Sequence, residues 1–287
     1  MTDVVGHLLA VGPTLSVRTK RGDVVHVAAA DVVAIKALAA APVRTGDIRN
    51  IEHAAALAWP GVEQRWLGGW LLRFGRGSTR RANSAVPLGV PTGVPLGVPT
   101  GTDLSALIDW YAARGVAPLI AAPDRLFRVP PGVSTEAENL VMTGDVTAMA
   151  ATAATGFSEA VAIAARPDDD WQSLYRRDVP VDVLTAVVGG EVAFATTAGA
   201  AVGRAAVTTA PDGTRWVGLS AVRVAEAARR RGLARELCEA LLAWGADRGA
   251  TRTYVQVLAD NTAATRLYES MGFSAHHRSR YVCARSL

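Results

Sequence analysis

Apolar and polar positions along residues 1–42 alternate in short β-branched runs. "DVVGHLLAVGP", "TLSVRTKRG" and "DVVHVAAADVVAIKAL" are separated by Gly-Pro and by an Arg-Gly-Asp turn. They predict a small, curled, β-barrel-like module over 1–42, short for a free-standing domain. The period then changes. "VRTGDIRNIEHAAALAWPG" puts Ile48, Ile51 and Ala55 on one helical face, with Asp47 as N-cap and Pro60 as the stop. "WLGGWLLRFGRGSTRRANSAVPLG" predicts two strands about a Gly-rich turn at Gly75–Gly77, with Trp66, Trp70 and Leu72 alternating onto a buried face. "VPLGVPTG" occurs twice in succession, from Val86 to Gly93 and from Val94 to Gly101. Pro and Gly at that spacing sustain neither a helix nor a central strand, so a duplicated surface loop is expected. Asp103 then caps a helix that runs to Gly115.

"ENLVMTGD" reads as a strand, and a second series starts near residue 150. "EAVAIAARP" is a strand and "DDDWQSLYRRDV" a helix with acidic residues at its positive end. "EVAFATTA", "AAVGRAAVTT" and "RWVGLSAVRV" are three strands joined by turns. A helix from Leu233, a strand "TRTYVQVLAD", a helix "NTAATRLYESMG" and one or two closing strands in "FSAHHRSRYVCARS" complete the chain. Strands and helices alternate, so the fold class is mixed α/β.

Composition narrows this little. The 287 residues carry a formal net charge of +4, with a pI of about 9.4. A mildly basic chain without long basic tracts fits an anionic ligand as well as a nucleic acid. Nucleic-acid binding through "RTKRGD" is disfavoured because no aromatics are interleaved there. The two cysteines, Cys238 and Cys283, lie outside any disulfide or zinc spacing, so reduced thiols, a cytoplasmic location and no metal are expected. No stretch is apolar enough to span a bilayer, and no secretion signal is expected from "MTDVVGHLLAVGP".

The densest chemistry lies at "VRVAEAARRRGLARELCEALLAWG". A strand ends near Val224, and Arg229, Arg230, Arg231 and Gly232 form a turn. A helix follows with Leu233, Leu237, Leu241 and Trp244 on one face. The free N–H groups of its first turn and the positive end of its dipole form an anion site. Gly232 lets an anion approach the backbone, and flanking arginines favour a phosphate or pyrophosphate. Neither a Walker loop nor a dinucleotide fingerprint is present.

"RRRGLA" fits Arg/Gln-x-x-Gly-x-Gly/Ala at Arg229, Gly232 and Ala234, and so resembles the acyl-CoA signature of the GNAT superfamily of N-acetyltransferases. "DNTAATRLYESMGF" resembles the family's later motif through Asn261, Ala264, Tyr268, Gly272 and Phe273. The resemblance covers roughly 151–287 and implies a catalytic GNAT domain there with acetyl-CoA as acyl donor. It implies that backbone groups of Val222, Arg223 and Val224 pair with the pantetheine arm. Amides from Arg229 through Arg230, Arg231, Gly232 and Leu233 to Ala234 would hold the pyrophosphate. Asn261 would contact the cofactor arm, and Tyr268 would protonate the leaving thiolate. "RWVGLSAVRV" carries no carboxylate, so the base is unassigned. Glu226, His276 and His277 are candidates, and the histidine pair reads as surface-exposed.

"WYAARGV" at Trp110–Val116 is similar to "LYESMGF" at Leu267–Phe273, each with Tyr and Gly at matching places. Residues 43–150 therefore read as a degenerate GNAT-like half, without the Arg-x-x-Gly-x-Ala loop, walling the substrate cleft. The layout resembles the two-part GNAT proteins of actinobacteria. The implied reaction is acetyl transfer to a primary amine, on a small molecule or on a protein lysine or N-terminus. The alternative is a non-catalytic acyl-CoA-binding regulator. No membrane partner is expected, and the oligomeric state, a homodimer included, is open.

Overall fold

The computed structural model describes residues 3–19, 22–35, 43–89, 101–153, 161–197 and 199–287. Met1–Pro42 and Val43–Leu287 are two compact units.

In the first unit, β1 (Gly6–Ala10), β2 (Thr14–Thr19) and β3 (Val24–Ala28) form an antiparallel sheet in that order. The β2–β3 turn closes through the Gly22 amide on Thr19 O at 3.0 Å and the Thr19 amide on Asp23 O at 2.8 Å. An irregular register between Leu8 and Ala10 bends β1.

The second unit begins with α1 (Thr45–Ala58), which buries Ile48, Ile51 and Ala55 as its period requires. Its N-cap is Arg44, one turn ahead of the expected Asp47. Asp47 sits at the third helical position, and its carboxylate accepts from the Arg44 amide at 3.2 Å. Three strands follow where two were expected: β4 (Glu63–Leu67), β5 (Trp70–Phe74) and β6 (Ser84–Pro87). The extra hairpin turns at Gly68–Gly69, so Trp66 and Trp70 lie on different strands and Trp66 is exposed. The core of the Pro/Gly repeat at 86–101, residues 90–100, lies outside the described residues. Next comes α2 (Gly101–Ala112), which starts ahead of Asp103 and leaves it in the first turn.

The remaining elements are β7 (Leu119–Pro123), β8 (Glu136–Asp145), α3 (Val146–Ala153), β9 (Val161–Ala164), α4 (Asp169–Tyr175) and α5 (Val181–Thr185). After them come β10 (Glu191–Thr197), β11 (Ala201–Thr209), β12 (Arg215–Val224) and α6 (Leu233–Asp247). The chain closes with β13 (Arg252–Leu258), α7 (Thr262–Ser270) and a single long strand, β14 (Ser274–Cys283).

Eleven strands form one sheet in the order β4-β5-β6-β7-β14-β8-β13-β12-β11-β10-β9. Its pairings read the same outward from the central β14–β8 pair. β7 and β13 flank that pair antiparallel. β6 and β12 then pair parallel to β7 and β13, and β5 and β11 antiparallel to those. Each half places its last strand beside the other half: β8 lies against β13, and β14 against β7.

The helix linking each parallel pair is α2 on one side and α6 on the other. This places "WYAARGV" opposite the end of α6, and not opposite α7 as the Tyr/Gly spacing suggests. Side chains follow the same symmetry. Arg114 stacks on Trp110 at 3.8 Å, bonds the Trp110 carbonyl at 2.7 Å and pairs with Glu63 at the start of β4. Arg248 stacks on Trp244 at 4.2 Å, bonds its carbonyl at 3.1 Å and pairs with Glu191 at the start of β10.

The core lies on both faces of the sheet. Leu237 and Leu241 of α6 are fully buried on β11–β13, each burial stabilising by about 1.5–3 kcal/mol. Leu107 and Tyr111 of α2 do the same on β5 and β7. On the opposite face, Ile51, Ala54 and Ala55 of α1 pack on Trp216 and Tyr254.

Candidate active site

The site opens where β12 and β13 part. Their parallel pairing runs only from Trp216↔Arg252 to Leu219↔Val255. Beyond it β13 stays with β8 as far as Leu258, while β12 stays with β11 as far as Val224. Just before the opening the strands are pinned close: a Cβ on Gly218 would lie 2.2 Å from the Tyr254 ring. Among the described residues, Ser220–Val224 then present an edge with no strand partner on the β13 side. A bulge falls here, with Arg223 opposite Val202 but Ser220 opposite Arg204, and Ala221 has φ +54°. An open strand edge inside a sheet is a slot for an extended ligand. Val222, Arg223 and Val224, all half-buried, lie on it.

The strand runs directly into the arginine loop. The Arg229 amide bonds Glu226 O at 3.3 Å, and the next bonded amides are Arg235 and Glu236, on Gly232 O at 2.9 and 3.2 Å. Among the described residues no acceptor is recorded for the amides of Arg230, Arg231, Gly232, Leu233 and Ala234, and no side chain caps α6. The row of unspent donors thus starts at Arg230; the Arg229 amide, expected to belong to it, is taken. Gly232 is the N-cap at φ +85°, a conformation that strains any side chain. Arg229, Arg230 and Arg231 are exposed. The one ion pair among them, Arg229–Glu226 at 3.6 Å, is solvated and contributes little. Glu226 is exposed on this loop.

Tyr268, on α7, is buried in the core beneath the slot, together with Leu219 and Val257. Its ring meets Phe273 edge-on at 5.4 Å. The Cys238 thiol of α6 is its polar neighbour, and burial raises the pKa of both, the thiol to about 12. Burial thus favours the neutral phenol. Asn261 is the N-cap of α7, and its side chain accepts from the Ala264 amide at 3.1 Å.

Sequence reasoning missed the other face of the opening. There α1 brings up Glu52, whose Oε1 lies 2.9 Å from His277 Nε2. His277 Nδ1 lies 2.8 Å from His276 Nδ1. The histidine pair is not at the surface as expected. His277 is buried, and burial together with its neighbour lowers the His276 pKa to about 4. A carboxylate on Nε2 fixes the His277 tautomer and leaves Nδ1 to accept from His276. Glu52, Asn139, Arg81 and Gln256 line a narrow crevice that encloses a volume of about 10 Å³. It adjoins a second space bounded by Arg81, Gln256, Leu219 and Ser220 at the β12 bulge. A buried acid on a helix distant in sequence leaves no local motif, so only the fold reveals it.

Arg73 and Arg204 stand behind this cleft as symmetric partners. Arg73 of β5 bonds Ser84 of β6 through Nη2–Oγ at 3.0 Å and Trp59 O at 3.3 Å. Arg204 of β11 contacts Ser220 of β12 through Nη1–Oγ at 3.4 Å and bonds Ala58 O at 2.8 Å. Both buried guanidinium groups thus cap the carbonyl end of α1, where a cation is favoured.

Among the described residues no helix is long and apolar enough to cross a membrane, and no side-chain cluster has the makings of a metal site.

Residues 45–282 match the family described as "Probable histone acetyltransferase Rv0428c C-terminal", and residues 1–36 match the "Rv0428c N-terminal Sm-like domain". The chain is 50% identical to the Mycobacterium tuberculosis protein named probable histone acetyltransferase Rv0428c, over all of this chain and 90% of that protein. In fold it is similar to a GCN5-related N-acetyltransferase from Kribbella flavida (TM-score 0.56, 15% identity, covering 84% of this chain and 96% of that one). It is also similar to a tandem GNAT protein from the clavulanic acid biosynthesis pathway (TM-score 0.50, 13% identity, covering 85% and 90%). The open strand edge, the glycine-capped anion loop and these matches agree: the chain belongs to the Rv0428c family of the GNAT superfamily and is an acyltransferase.

Proposed function

We propose that this enzyme transfers an acetyl group from acetyl-CoA to a primary amine, on a small molecule or on a protein lysine or N-terminus. The observation that carries the reading is the continuity of the unpaired β12 edge, Ser220–Val224, with the unspent amides from Arg230 to Ala234. The edge offers backbone groups to an extended amide-bearing arm. The amides and the arginines offer donors to a pyrophosphate, and Gly232 leaves room for it. An N–H of the β12 edge stabilises negative charge developing on the acyl oxygen. The neutral amine attacks the acetyl carbonyl, and the carbon–sulfur bond breaks as the amide forms. The nitrogen releases a proton to solvent, and Tyr268 gives its proton to the departing sulfur. Cys238, a buried thiol beside Tyr268, forms no bond to the acyl group. Residues 43–150 act as a GNAT-like half without a donor site, supplying α1 and one wall of the acceptor cleft. The family assignment sets aside a purely regulatory, non-catalytic role. The relative's name keeps protein amines among the acceptors.

Calorimetric titration with acetyl-CoA tests the donor site without knowledge of the acceptor. The wild type is expected to bind. Replacing Arg229, Arg230 and Arg231 together by Ala is expected to weaken binding about 10–100-fold through lost charge-assisted contacts. A wild type that does not bind acetyl-CoA removes the proposal.

A further inference from the structure

Three guanidinium groups gather round Trp59 at the acceptor side of the β12 bulge. Arg204 lies 4.3 Å from the Trp59 ring centre, Arg81 lies 6.0 Å from it, and Arg73 donates to the Trp59 carbonyl. They are not equivalent. Arg204 spends donors on Leu184 O, Ala58 O, Ala186 O and Ser220 Oγ. Arg73 spends three of its five on Ser84 and Trp59. For the Arg81 side chain no hydrogen bond or ion pair is recorded among the described residues, and its Nε is buried without a partner. Arg81 also lines both spaces of the cleft.

Charge here is out of balance. Among the residues lining the two spaces, the single carboxylate is Glu52, and its Oε1 is engaged by His277. Desolvation already lowers the Arg204 pKa to about 9, and Arg81 pushes it further in that direction. Arg81 is itself half-buried, its buried Nε lacks a partner, and a planar fork of unspent donors suits a carboxylate.

We infer that Arg81 is a specificity residue that binds a carboxylate, or an equally compact anionic group, carried by the acceptor beside its amine. The inference rests on the acetyltransferase reading above and names its substrate class. Arg81 borders the same space as Leu219 and Ser220, so the anion sits within a small molecule's length of the reacting amine. The cluster would repel the flanking lysines and arginines of a basic protein tail. The preferred acceptor is therefore a small amino acid-like molecule.

The test measures CoA release at saturating acetyl-CoA. It compares ω-amino acids from glycine to 6-aminohexanoate with n-alkylamines of the same lengths and with a lysine-rich histone-tail peptide. A carboxylated amine is expected to exceed its alkylamine in kcat/KM by about 10–100-fold, the strength of a charge-assisted hydrogen bond. Arg81→Gln should erase most of that ratio through KM, leaving kcat and acetyl-CoA affinity in place. Equal rates for the paired amines, a preference that survives Arg81→Gln, or a preference for the basic peptide would each overturn the inference. So would acetyl-CoA binding with no turnover of any carboxylated amine. Failure of the wild type to bind acetyl-CoA would strike the parent reading instead.

Discussion

The half of the sheet built from β4–β7 with α2 and the half built from β10–β13 with α6 share more than topology. Trp110, Arg114 and Glu63 in the first answer to Trp244, Arg248 and Glu191 in the second. Arg73 with Ser84 answers to Arg204 with Ser220. The halves part company where a donor would bind. β6 has four residues, and its pairing with β7 involves Ser84 and Ala85. β12 has ten and runs five residues past its parallel pairing. β6 leads into a Pro/Gly repeat, whereas β12 leads into Arg229–Gly232. Between β7 and β8 there is no helix, whereas α7 follows β13 and carries Tyr268. The scaffold is thus fixed by buried groups that must find partners, and the same solution serves twice. Among the described residues, the overhanging strand and the helix start with unspent amides belong to the second half.

The largest effect should come from the paired arginines. Arg204→Met leaves the carbonyls of Leu184, Ala58 and Ala186 without their donor and is expected to cost about 3–5 kcal/mol. Arg73→Met, which frees fewer carbonyls, should cost about 2–4 kcal/mol. Urea unfolding measures both, and a loss below about 1 kcal/mol at either position would deny them their role in joining α1 to the sheet.

The tyrosines should separate the halves. Tyr268→Phe is expected to lower kcat about 10²-fold with little change in acetyl-CoA affinity. Tyr111, whose hydroxyl lies 3.2 Å from both the amide and the carbonyl of Arg73, is structural. Tyr111→Phe should cost about 1 kcal/mol of stability and leave turnover unchanged. Equal turnover losses would show that the first half takes part in the chemistry.

The smallest effect sharpens the symmetry most. Arg114→Gln and Arg248→Gln each remove a stacked cation from a partly exposed tryptophan–arginine pair, so each should cost about 0.5–1 kcal/mol. Unfolding midpoints that differ widely between the two would break the equivalence of α2 and α6.

Much of the second half could be read from its residues because its signals are local. β10, β11 and β12 appear as apolar runs between turns. Arg229–Gly232 precedes a helix whose 3.6-residue period is plain. Where local signals conflict, the reading slips. Asp47 looks like an N-cap because short polar residues favour that place, yet the helix starts earlier and uses the carboxylate at its third position. Gly68–Gly69 looks like an interruption within a strand and is a hairpin turn. The Tyr and Gly of "WYAARGV" match those of "LYESMGF" by spacing, but pairing directions place α2 opposite α6.

The sequence by itself determined the α/β class, the anion loop with its helix and the GNAT resemblance, since each depends on residues within a turn or two of one another. Only the tertiary structure decided that β8 and β14 cross to the opposite halves. It alone brought Glu52 to His277 across 225 positions of chain and left Arg81 uncompensated beside the β12 bulge. Those outcomes depend on which distant groups share a desolvated space. Burial and charge balance set that choice for the whole fold, and no short stretch of residues records it.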